Sequence, residues 1–223
     1  MPTRPGVILF DVNETLSDMG PMAQRFADVG APPELATLWF ASLLRDGFAL
    51  TAAGGQESFA VLAEGVLRSL LSGVEPARDV DGSVEHVLAG MSGLEVHPDV
   101  PDGLRRLRRG GSRLLTLSNG AASVADALLT RAGVRDELEE LLSVESASAW
   151  KPAGPAYRWA AERCGVALGD VMLVAVHPWD IDGAARAGAR TAWLDRRGVT
   201  YPSYFTAPDL TATSLTHLAD LLT

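Results

Sequence analysis

The sequence contains one cysteine, Cys164, and no apolar run of the length that a membrane-spanning helix needs. A single cysteine can form neither an intramolecular disulfide nor a cysteine zinc site. A spanning helix takes about 18–20 consecutive apolar residues, so we expect no membrane association. The first apolar run, residues 7–10, is too short for the core of a signal peptide. These absences predict a cytoplasmic protein without disulfides.

Basic residues are also scarce: 19 Lys and Arg stand against 28 Asp and Glu, for a net charge of −9. Such a chain repels nucleic acid and anionic lipid, so we expect neither as a partner. Aromatic residues make up only 6%, but the 47% hydrophobic and 21% charged residues are typical of globular proteins. The 223 residues suffice for one large domain, or for a core with a small inserted domain.

Short apolar runs alternate with helical patterns at the start of the chain and in its second half. The runs predict strands that are buried on both faces, and they cover residues 7–10, 114–117, 171–176 and 190–194. Helical patterns lie at 101–109, 121–132, 155–164 and 181–187. Strands that alternate with helices indicate a parallel sheet wound by right-handed crossovers. We therefore predict an α/β fold with a Rossmann-like parallel sheet core.

Residues 17–95 interrupt this alternation, because their apolar residues follow helical spacing throughout. Leu35, Leu38, Trp39 and Leu43 fall on one helical face. We predict a helical domain over 17–95, inserted after the first strand, and a discontinuous core made of 1–16 and 96–223. Apolar residues such as Leu38 and Trp39 suit the interior of this domain or an interface equally well, which leaves a homodimer open.

Polar residues follow the predicted strands at the points where the strands end. Asp11 follows the first strand, Ser118 and Asn119 close the second, and Asp180 follows the run 171–176. Lys151 stands just before a predicted helix. A single aspartate at a strand end is often only a turn or cap residue. Several polar residues at the carboxyl edge of a parallel sheet, however, are typical of a ligand site.

The order of these residues resembles that of the haloacid dehalogenase superfamily. Its first motif, Asp-x-x-x-Thr-Leu after a hydrophobic strand, is matched by residues 11–16. Its Ser at a strand end, its Lys and its acidic loop are matched by Ser118, Lys151 and the segment 179–183. The resemblance implies that Asp11 is a nucleophile. It also implies that the helical domain is a cap that closes over the site.

Two features distinguish this chain from the phosphatases of that superfamily. Phosphatases carry a second Asp two residues after the nucleophile to protonate the leaving group, but this chain has Asn13, which cannot transfer a proton at useful pH. They also place an additional acid for Mg²⁺ before the fourth motif, and residues 174–177 contain none. Both features favour the branch that displaces halide, which needs neither a protonated leaving group nor a metal.

That branch, the L-2-haloacid dehalogenases, resembles the chain in finer detail. It shares Ser118-Asn119-Gly120, Lys151-Pro152 with Tyr157 six residues after the lysine, and Trp179-Asp180 before Gly183. It differs in having an aromatic residue at the position of Asn13, and Ser-Ser-Asn at Ala175-Val176-His177. The family also places an arginine early in the cap to receive the substrate carboxylate, and the nearest candidate here is Arg45.

The resemblance implies a metal-independent hydrolase of small 2-haloacids, in which Asp11 displaces halide to form an ester that water then hydrolyses. No cofactor is expected. The alternative is a Mg²⁺-dependent phosphatase acting on small phosphate esters or on acyl or aryl phosphates. A second alternative is a binding protein on this fold that has lost catalysis.

The catalytic candidates are Asp11, Lys151 and Asp180. Lys151 is expected to keep the Asp11 carboxylate ionised. Asp180 either orients the attacking water or holds Lys151. Thr15 is expected to bond to the nucleophile turn or to a substrate oxygen.

The other candidates are expected to bind the substrate. Ser118 and Asn119 suit an anion such as the substrate carboxylate, or simply cap a helix. His177 can act as a base, accept a substrate hydrogen bond or anchor its loop. Arg45 is expected to hold the carboxylate through two parallel hydrogen bonds, turned toward the site and away from solvent. The remaining members of this group are Asn13 and Tyr157, of which the tyrosine either supports the site or packs in the core.

Overall fold

Two units make up the computed structural model, which describes residues 4–74, 79–147 and 149–222. The sheet unit comprises Met1–Ser17 and Val96–Thr223, and the helical unit comprises Asp18–Glu95. The first boundary between the units falls one residue after the position expected from the sequence, and the second falls between residues 95 and 96. Residues 1–3 and 223 of the predicted core, residue 148 and residues 75–78 of the predicted cap lie outside the described residues.

The helical unit contains four helices among its described residues: α1 Met22–Asp28, α2 Leu35–Ala52, α3 Phe59–Leu71 and α4 Val80–Ser92. Side-chain caps start two of them, because Ser58 accepts from the amide of Val61 and Asp79 accepts from the amide of Gly82. Trp39 is buried within this unit, and its Nε1 donates to the carbonyl of Ala63 at 2.9 Å. Leu38 beside it is about half exposed.

The described residues of the sheet unit form six parallel strands, in the spatial order β3-β2-β1-β4-β5-β6. Their bounds are β1 Val7–Phe10, β2 Arg113–Ser118, β3 Glu140–Ser143, β4 Val171–Ala175, β5 Arg190–Leu194 and β6 Leu210–Ala212. The predicted α/β fold, with a helical segment inserted after the first strand, is confirmed. The strand prediction was incomplete, since β3 and β6 were not expected, and both are edge strands.

In the described part of this unit, five α-helices connect or follow these strands: α5 Val100–Arg109, α6 Ala122–Arg131, α7 Gly154–Cys164, α8 Pro178–Ala187 and α9 Leu215–Leu221. Helix α8 starts three residues earlier than predicted, because Pro178 occupies its first position, where a missing N–H costs nothing. Helices α5 and α9 approach closely at Gly103, where an added Cβ would lie 2.4 Å from the Cβ of Leu215.

All four residues of β1 are buried, because this strand lies between β2 and β4 at the centre of the sheet. Ile8 and Phe10 point to one face, where they pack in a cluster with α5 and α9 residues such as Leu104 and Leu218. Burying each such side chain contributes about 1.5–3 kcal/mol. This packing fixes the end of β1, and with it the position of Asp11.

Among the described residues, every helix is too short or too polar to span a membrane.

Candidate active site

Asp11 is the first residue after β1, and it lies at the carboxyl edge of the sheet. Its amide donates to the carbonyl of Val174 at 3.0 Å, which extends the pairing of β1 with β4 by one residue. Its side chain is buried. Burial by itself raises the pKa of the Asp11 carboxyl, but the charge of Lys151 and the contacts with His177 outweigh it. The pKa therefore lies well below its ordinary value, and Asp11 is ionised.

Lys151 bridges two carboxylates from the turn before α7. Its Nζ lies 3.0 Å from Oδ1 of Asp11 and 2.6 Å from Oδ2 of Asp180, and its side chain is fully buried. Burial disfavours the ammonium form, but the two carboxylates raise the pKa of Lys151 above its ordinary value. Lys151 is thus held as a cation between the carboxyl groups of Asp11 and Asp180.

Asn119 holds the backbone of Lys151 in this place. Its Nδ2 donates to the Lys151 carbonyl at 3.1 Å, and its Oδ1 accepts from the Lys151 amide at 2.9 Å. Asn119 was expected to suit an anion or to cap a helix; in the structure, both polar atoms of its side chain bond to the Lys151 backbone. Asn119 therefore positions the cation.

Asp180 is fully buried, and both of its carboxylate oxygens are occupied. Oδ2 accepts from Lys151, and Oδ1 accepts from the Tyr157 hydroxyl at 2.6 Å. Burial raises the pKa of Asp180, against the attraction of Lys151. Burial and the Asp180 charge also raise the pKa of Tyr157 well above 10, so the hydroxyl remains a donor. Helix α8 comes close enough for these bonds because of Gly183, where an added Cβ would lie 2.8 Å from the Tyr157 hydroxyl.

Thr15 joins the turn after β1 to the loop after β4. Its hydroxyl donates to Oδ2 of Asp11 at 2.7 Å and accepts from the amide of Val176 at 3.1 Å. Thr15 was expected to bond either to the nucleophile turn or to a substrate oxygen, and in the structure its hydroxyl bonds to Asp11 in that turn. Its carbonyl accepts from Arg196 at 3.0 Å, and Arg196 pairs with Asp99 at 2.7 Å. Neither this arginine nor this aspartate was expected at the site from the sequence.

His177 and Lys151 contact different carboxylate oxygens of Asp11. Its Nδ1 is 3.2 Å from Oδ2 of Asp11, and its Nε2 is 2.8 Å from Oε2 of Glu14. The ring stacks on Trp179 with centroids 4.9 Å apart, and 11% of the His177 side chain is exposed. Burial opposes the charged imidazole, but the two carboxylates raise the pKa of His177 to about 9.

Glu14 is a site residue that the sequence analysis missed, although it stands within the first motif. Its backbone has φ of 61°, in the left-handed region that residues other than glycine rarely adopt. The amide of Glu14 donates to Oγ of Ser17 at 3.3 Å, and its carbonyl accepts from Nε2 of His97 at 3.0 Å. Burial raises the pKa of Glu14, but His177 outweighs this and lowers it.

Two aromatic residues, one in β5 and one in the segment after it, hold the loop that carries His177. Nε1 of Trp193 donates to the carbonyl of Val176 at 2.9 Å, and the Tyr201 hydroxyl lies 3.3 Å from the carbonyl of Pro178. The two rings pack edge to face with centroids 5.0 Å apart. These contacts fix the backbone on both sides of His177, and no pattern in the sequence indicated them.

The structure places the remaining candidates as follows. Ser118 is buried at the end of β2, where its Oγ accepts from the amide of Gly120 at 2.9 Å. Asn13 is half-buried in the turn after β1. Arg45 is 69% exposed and pairs with Asp46 at 2.8 Å, so the expectation that it is turned away from solvent is wrong. Two helical residues span roughly 200°, which takes Arg45 off the face that buries Leu43.

A metal site is not evident in the described part of the chain: no three or more His, Cys, Asp or Glu residues there are grouped so as to hold a metal ion. The carboxylates at this site pair with side chains of the protein instead. Lys151 pairs with Asp11 and Asp180, and His177 pairs with Asp11 and Glu14. The arrangement is that of an ionised carboxylate held between two cationic groups, which suits nucleophilic attack by the carboxylate on carbon.

Comparison with known proteins gives a consistent result. The family described as haloacid dehalogenase-like hydrolase matches residues 6–188. An (S)-2-haloacid dehalogenase of Pseudomonas sp. strain YL is 30% identical over 218 residues, which cover 96% of this chain and 93% of that protein. Haloacetate dehalogenase H-2 of Moraxella sp. strain B is 32% identical over 142 residues, 64% of this chain and 63% of that protein.

A solved structure described as a dehalogenase with intermediate complex superimposes with a TM-score of 0.92. It is 27% identical in sequence, and the alignment covers 100% of this chain and 99% of that chain. The likeness therefore extends over both units and through all the segments that carry the Asp11 cluster.

Proposed function

The chain belongs to the haloacid dehalogenase-like hydrolases, and we propose that it hydrolyses small 2-haloacids through a covalent ester on Asp11. The observation that carries the proposal is the state of Asp11, an ionised carboxylate held by Lys151 at 3.0 Å. Asn13, two residues later, offers no acid for a leaving alcohol or phosphate ester. Halide needs no such acid, and the relatives named (S)-2-haloacid dehalogenases support this choice.

In the first step, an Asp11 carboxylate oxygen attacks the carbon that bears the halogen. The carbon–halogen bond breaks with inversion, and halide leaves with the bonding electrons. Lys151 and Thr15 hold the carboxylate in a fixed orientation while the new carbon–oxygen bond forms. The product of this step is an ester of Asp11, which no longer carries a negative charge.

In the second step, water attacks the carboxyl carbon of Asp11, the ester breaks, and a 2-hydroxyacid leaves. The two roles expected for Asp180 can now be compared. Its oxygens already accept from Lys151 and Tyr157, which supports the role of holding Lys151 over that of orienting water. Asp180, Tyr157 and Asn119 then form a support that keeps Lys151 beside Asp11.

The substrate is proposed to be a small carboxylate. A carboxylate that enters a closed site costs several kcal/mol to desolvate unless donors or a cation meet it. In the sheet unit, we propose that Ser118 and the amides at the start of α6 bind the substrate carboxylate.

Arg45 is exposed, so we expect Arg45→Lys to leave the KM for the haloacid unchanged. A tenfold rise in KM would instead assign carboxylate binding to Arg45.

We extend the proposal to the organisation of the protein. The sheet unit is the catalytic core, and the helical unit is the cap. The reaction needs no cofactor, and the protein works in the cytoplasm on a small molecule, without nucleic acid or membrane as partner. The half-exposed Leu38 on α2 supports testing for a homodimer.

The proposal is tested by measuring chloride release from 2-chloropropionate, with and without a metal chelator. We expect release by the wild-type protein in both conditions and none by Asp11→Asn. If chloride is not released and phosphate esters are hydrolysed only with Mg²⁺, the protein is a phosphatase. If a broad substrate screen detects no turnover by either protein, it is a binding protein on this fold.

A further inference from the structure

His177 is a titratable group beside the nucleophile that the two steps above do not use. Its two ring nitrogens face two carboxylate oxygens, from Asp11 at 3.2 Å and from Glu14 at 2.8 Å. An ionised carboxylate can only accept a hydrogen bond, so both nitrogens need a proton to satisfy both contacts. In the free protein, His177 is therefore an imidazolium that donates a hydrogen bond from each ring nitrogen.

We propose that His177, held by Glu14, is the general base that activates water in the second step, and that formation of the Asp11 ester switches it on. The proposal rests on the proposed function, because it needs the ester intermediate. Within it, His177 is a catalytic residue and Glu14 is a positioning residue.

The switch follows from the charges around His177. In the free protein, Asp11 and Glu14 both favour the imidazolium, in accordance with a pKa of His177 of about 9. Ester formation removes the negative charge of Asp11 and leaves the ester oxygens as weaker acceptors, so the imidazolium loses the anion that faces its Nδ1. The pKa of His177 then falls. Trp179, which stacks on the ring, is uncharged, and the charged groups next to the two carboxylates include Lys151 beside Asp11 and Arg197 near Glu14.

The protons balance over the cycle. After halide has left, the partly exposed His177 releases its Nδ1 proton to solvent and keeps the proton on Nε2, which donates a hydrogen bond to the Glu14 carboxylate. The Nδ1 lone pair then takes a proton from water while the hydroxide adds to the Asp11 carboxyl carbon. When the ester bond breaks, the carboxylic acid proton passes to the departing alkoxide. Asp11 and the imidazolium are restored, and one proton has been released for each halide.

Other groups around Asp11 are less suited to this role. Lys151 is buried and protonated, and Asp180 accepts on both oxygens from Lys151 and Tyr157. His177 is in contact with Asp11 and partly exposed, so it can exchange protons with water. Glu14 reaches it from a left-handed backbone conformation that costs on the order of 1–3 kcal/mol, and such strain clusters at functional sites.

The experiment separates the two steps in His177→Gln and Glu14→Gln. Each protein is mixed with excess 2-chloropropionate, and chloride is measured over time together with the mass of the protein. We expect His177→Gln to release about one equivalent of chloride rapidly and to accumulate a protein heavier by the substrate less hydrogen chloride. Its steady-state kcat should fall at least about a hundredfold, the contribution of a general base. His86→Gln, on α4, is the control and should match the wild type.

Glu14→Gln should lower kcat about tenfold, leave the chloride burst intact and shift the rising limb of the kcat profile to lower pH, because His177 loses an anion. Three results would overturn the inference: wild-type turnover in His177→Gln, loss of the burst in that variant, or an unchanged pH limb in Glu14→Gln. Absence of both chloride release and alkylated protein in the wild type would instead overturn the proposed function.

Discussion

The two sides of Asp11 differ in burial, although both hold it with a cation. The buried flank consists of Lys151, Asp180 and Tyr157, and the side chains of Lys151 and Asp180 have no exposed surface. The exposed flank consists of His177 and Glu14, whose side chains are 11% and 37% exposed. A fully buried cation cannot exchange its proton with solvent during turnover, whereas a partly exposed imidazole can. The comparison indicates that the buried flank maintains the nucleophile and the exposed flank moves protons.

The energetics of the two flanks differ for the same reason. Removing one partner from a buried ion pair typically costs 3–5 kcal/mol, because the other charge is left without compensation. A partly exposed pair contributes less, since water can replace the lost partner. Substitutions on the buried flank should therefore reduce both stability and activity, and those on the exposed flank should mainly affect turnover.

The largest effect is expected for Lys151→Met, which keeps the length of the side chain but removes its charge. Asp11 and Asp180 then lose the cation that lies between them in the interior. We expect a loss of about 3–5 kcal/mol in the free energy of unfolding and no detectable chloride release. Urea denaturation and the chloride assay measure the two effects. Lys151→Met combined with Asp180→Asn should recover stability but not activity; a stable single variant would show that the buried flank does not depend on this cation.

The exposed flank predicts a fall in stability at alkaline pH. The pKa of His177 is raised from 6.5 to about 9 in the folded protein, so its contribution is fully present below pH 6.5 and is lost as the pH rises through about 9. The free energy of unfolding should decrease by about 3 kcal/mol at most across this range. Urea titrations at several pH values measure the slope. The same series on His177→Gln should be much flatter, and an equal slope in both proteins would contradict the assignment.

A smaller effect is expected for Tyr157→Phe on the buried flank. This change removes only the hydroxyl that donates to Asp180 at 2.6 Å, and a hydrogen bond to a charged group contributes about 1.5–3 kcal/mol. We expect a stability loss of this size, measured by urea denaturation. Chloride release should fall about tenfold, because Asp180 holds Lys151 less firmly. Unchanged stability would mean that the Asp180 carboxylate does not need this donor.

The smallest effect is expected for Tyr201→Phe, the same substitution behind the exposed flank. The Tyr201 hydroxyl lies 2.9 Å from the carbonyl of Thr206 and 3.3 Å from that of Pro178, both neutral acceptors. We expect a loss of about 0.5–1.5 kcal/mol and at most a few-fold change in turnover. Thermal denaturation of the two phenylalanine variants side by side gives the comparison. If Tyr201→Phe destabilises as much as Tyr157→Phe, burial does not distinguish the flanks.

Central parts of the fold could be predicted from the sequence, because their residues experience one kind of environment. The β1 residues are apolar on both faces, and the helices between the inner strands follow a regular period. The edge strands were missed for the corresponding reason. Glu140–Ser143 and Leu210–Ala212 have neighbours on one side only, are partly exposed and mix polar with apolar residues. Such short segments look like loops in sequence.

The site was accessible from sequence where topology alone brings residues together. The ends of parallel strands share one edge of the sheet, so the positions of Asp11 and Asp180 after two strands implied that they lie close in space. The prediction that Arg45 is turned away from solvent failed because neighbouring residues of a helix point in directions about 100° apart. On α2, this rotation turns Arg45 to the exposed surface, where it pairs with Asp46.

The sequence by itself determined the order of the four inner strands and of the helices between them, the buried centre of the sheet and the motif that carries Asp11. Only the tertiary structure decided how the charges around Asp11 are shared. The contact of His177 with Glu14 joins residues 163 positions apart, and it depends on the left-handed backbone at Glu14. Hydrogen bonds act over about 3 Å, so they are set by the packed arrangement of the loops and not by any local pattern of residues.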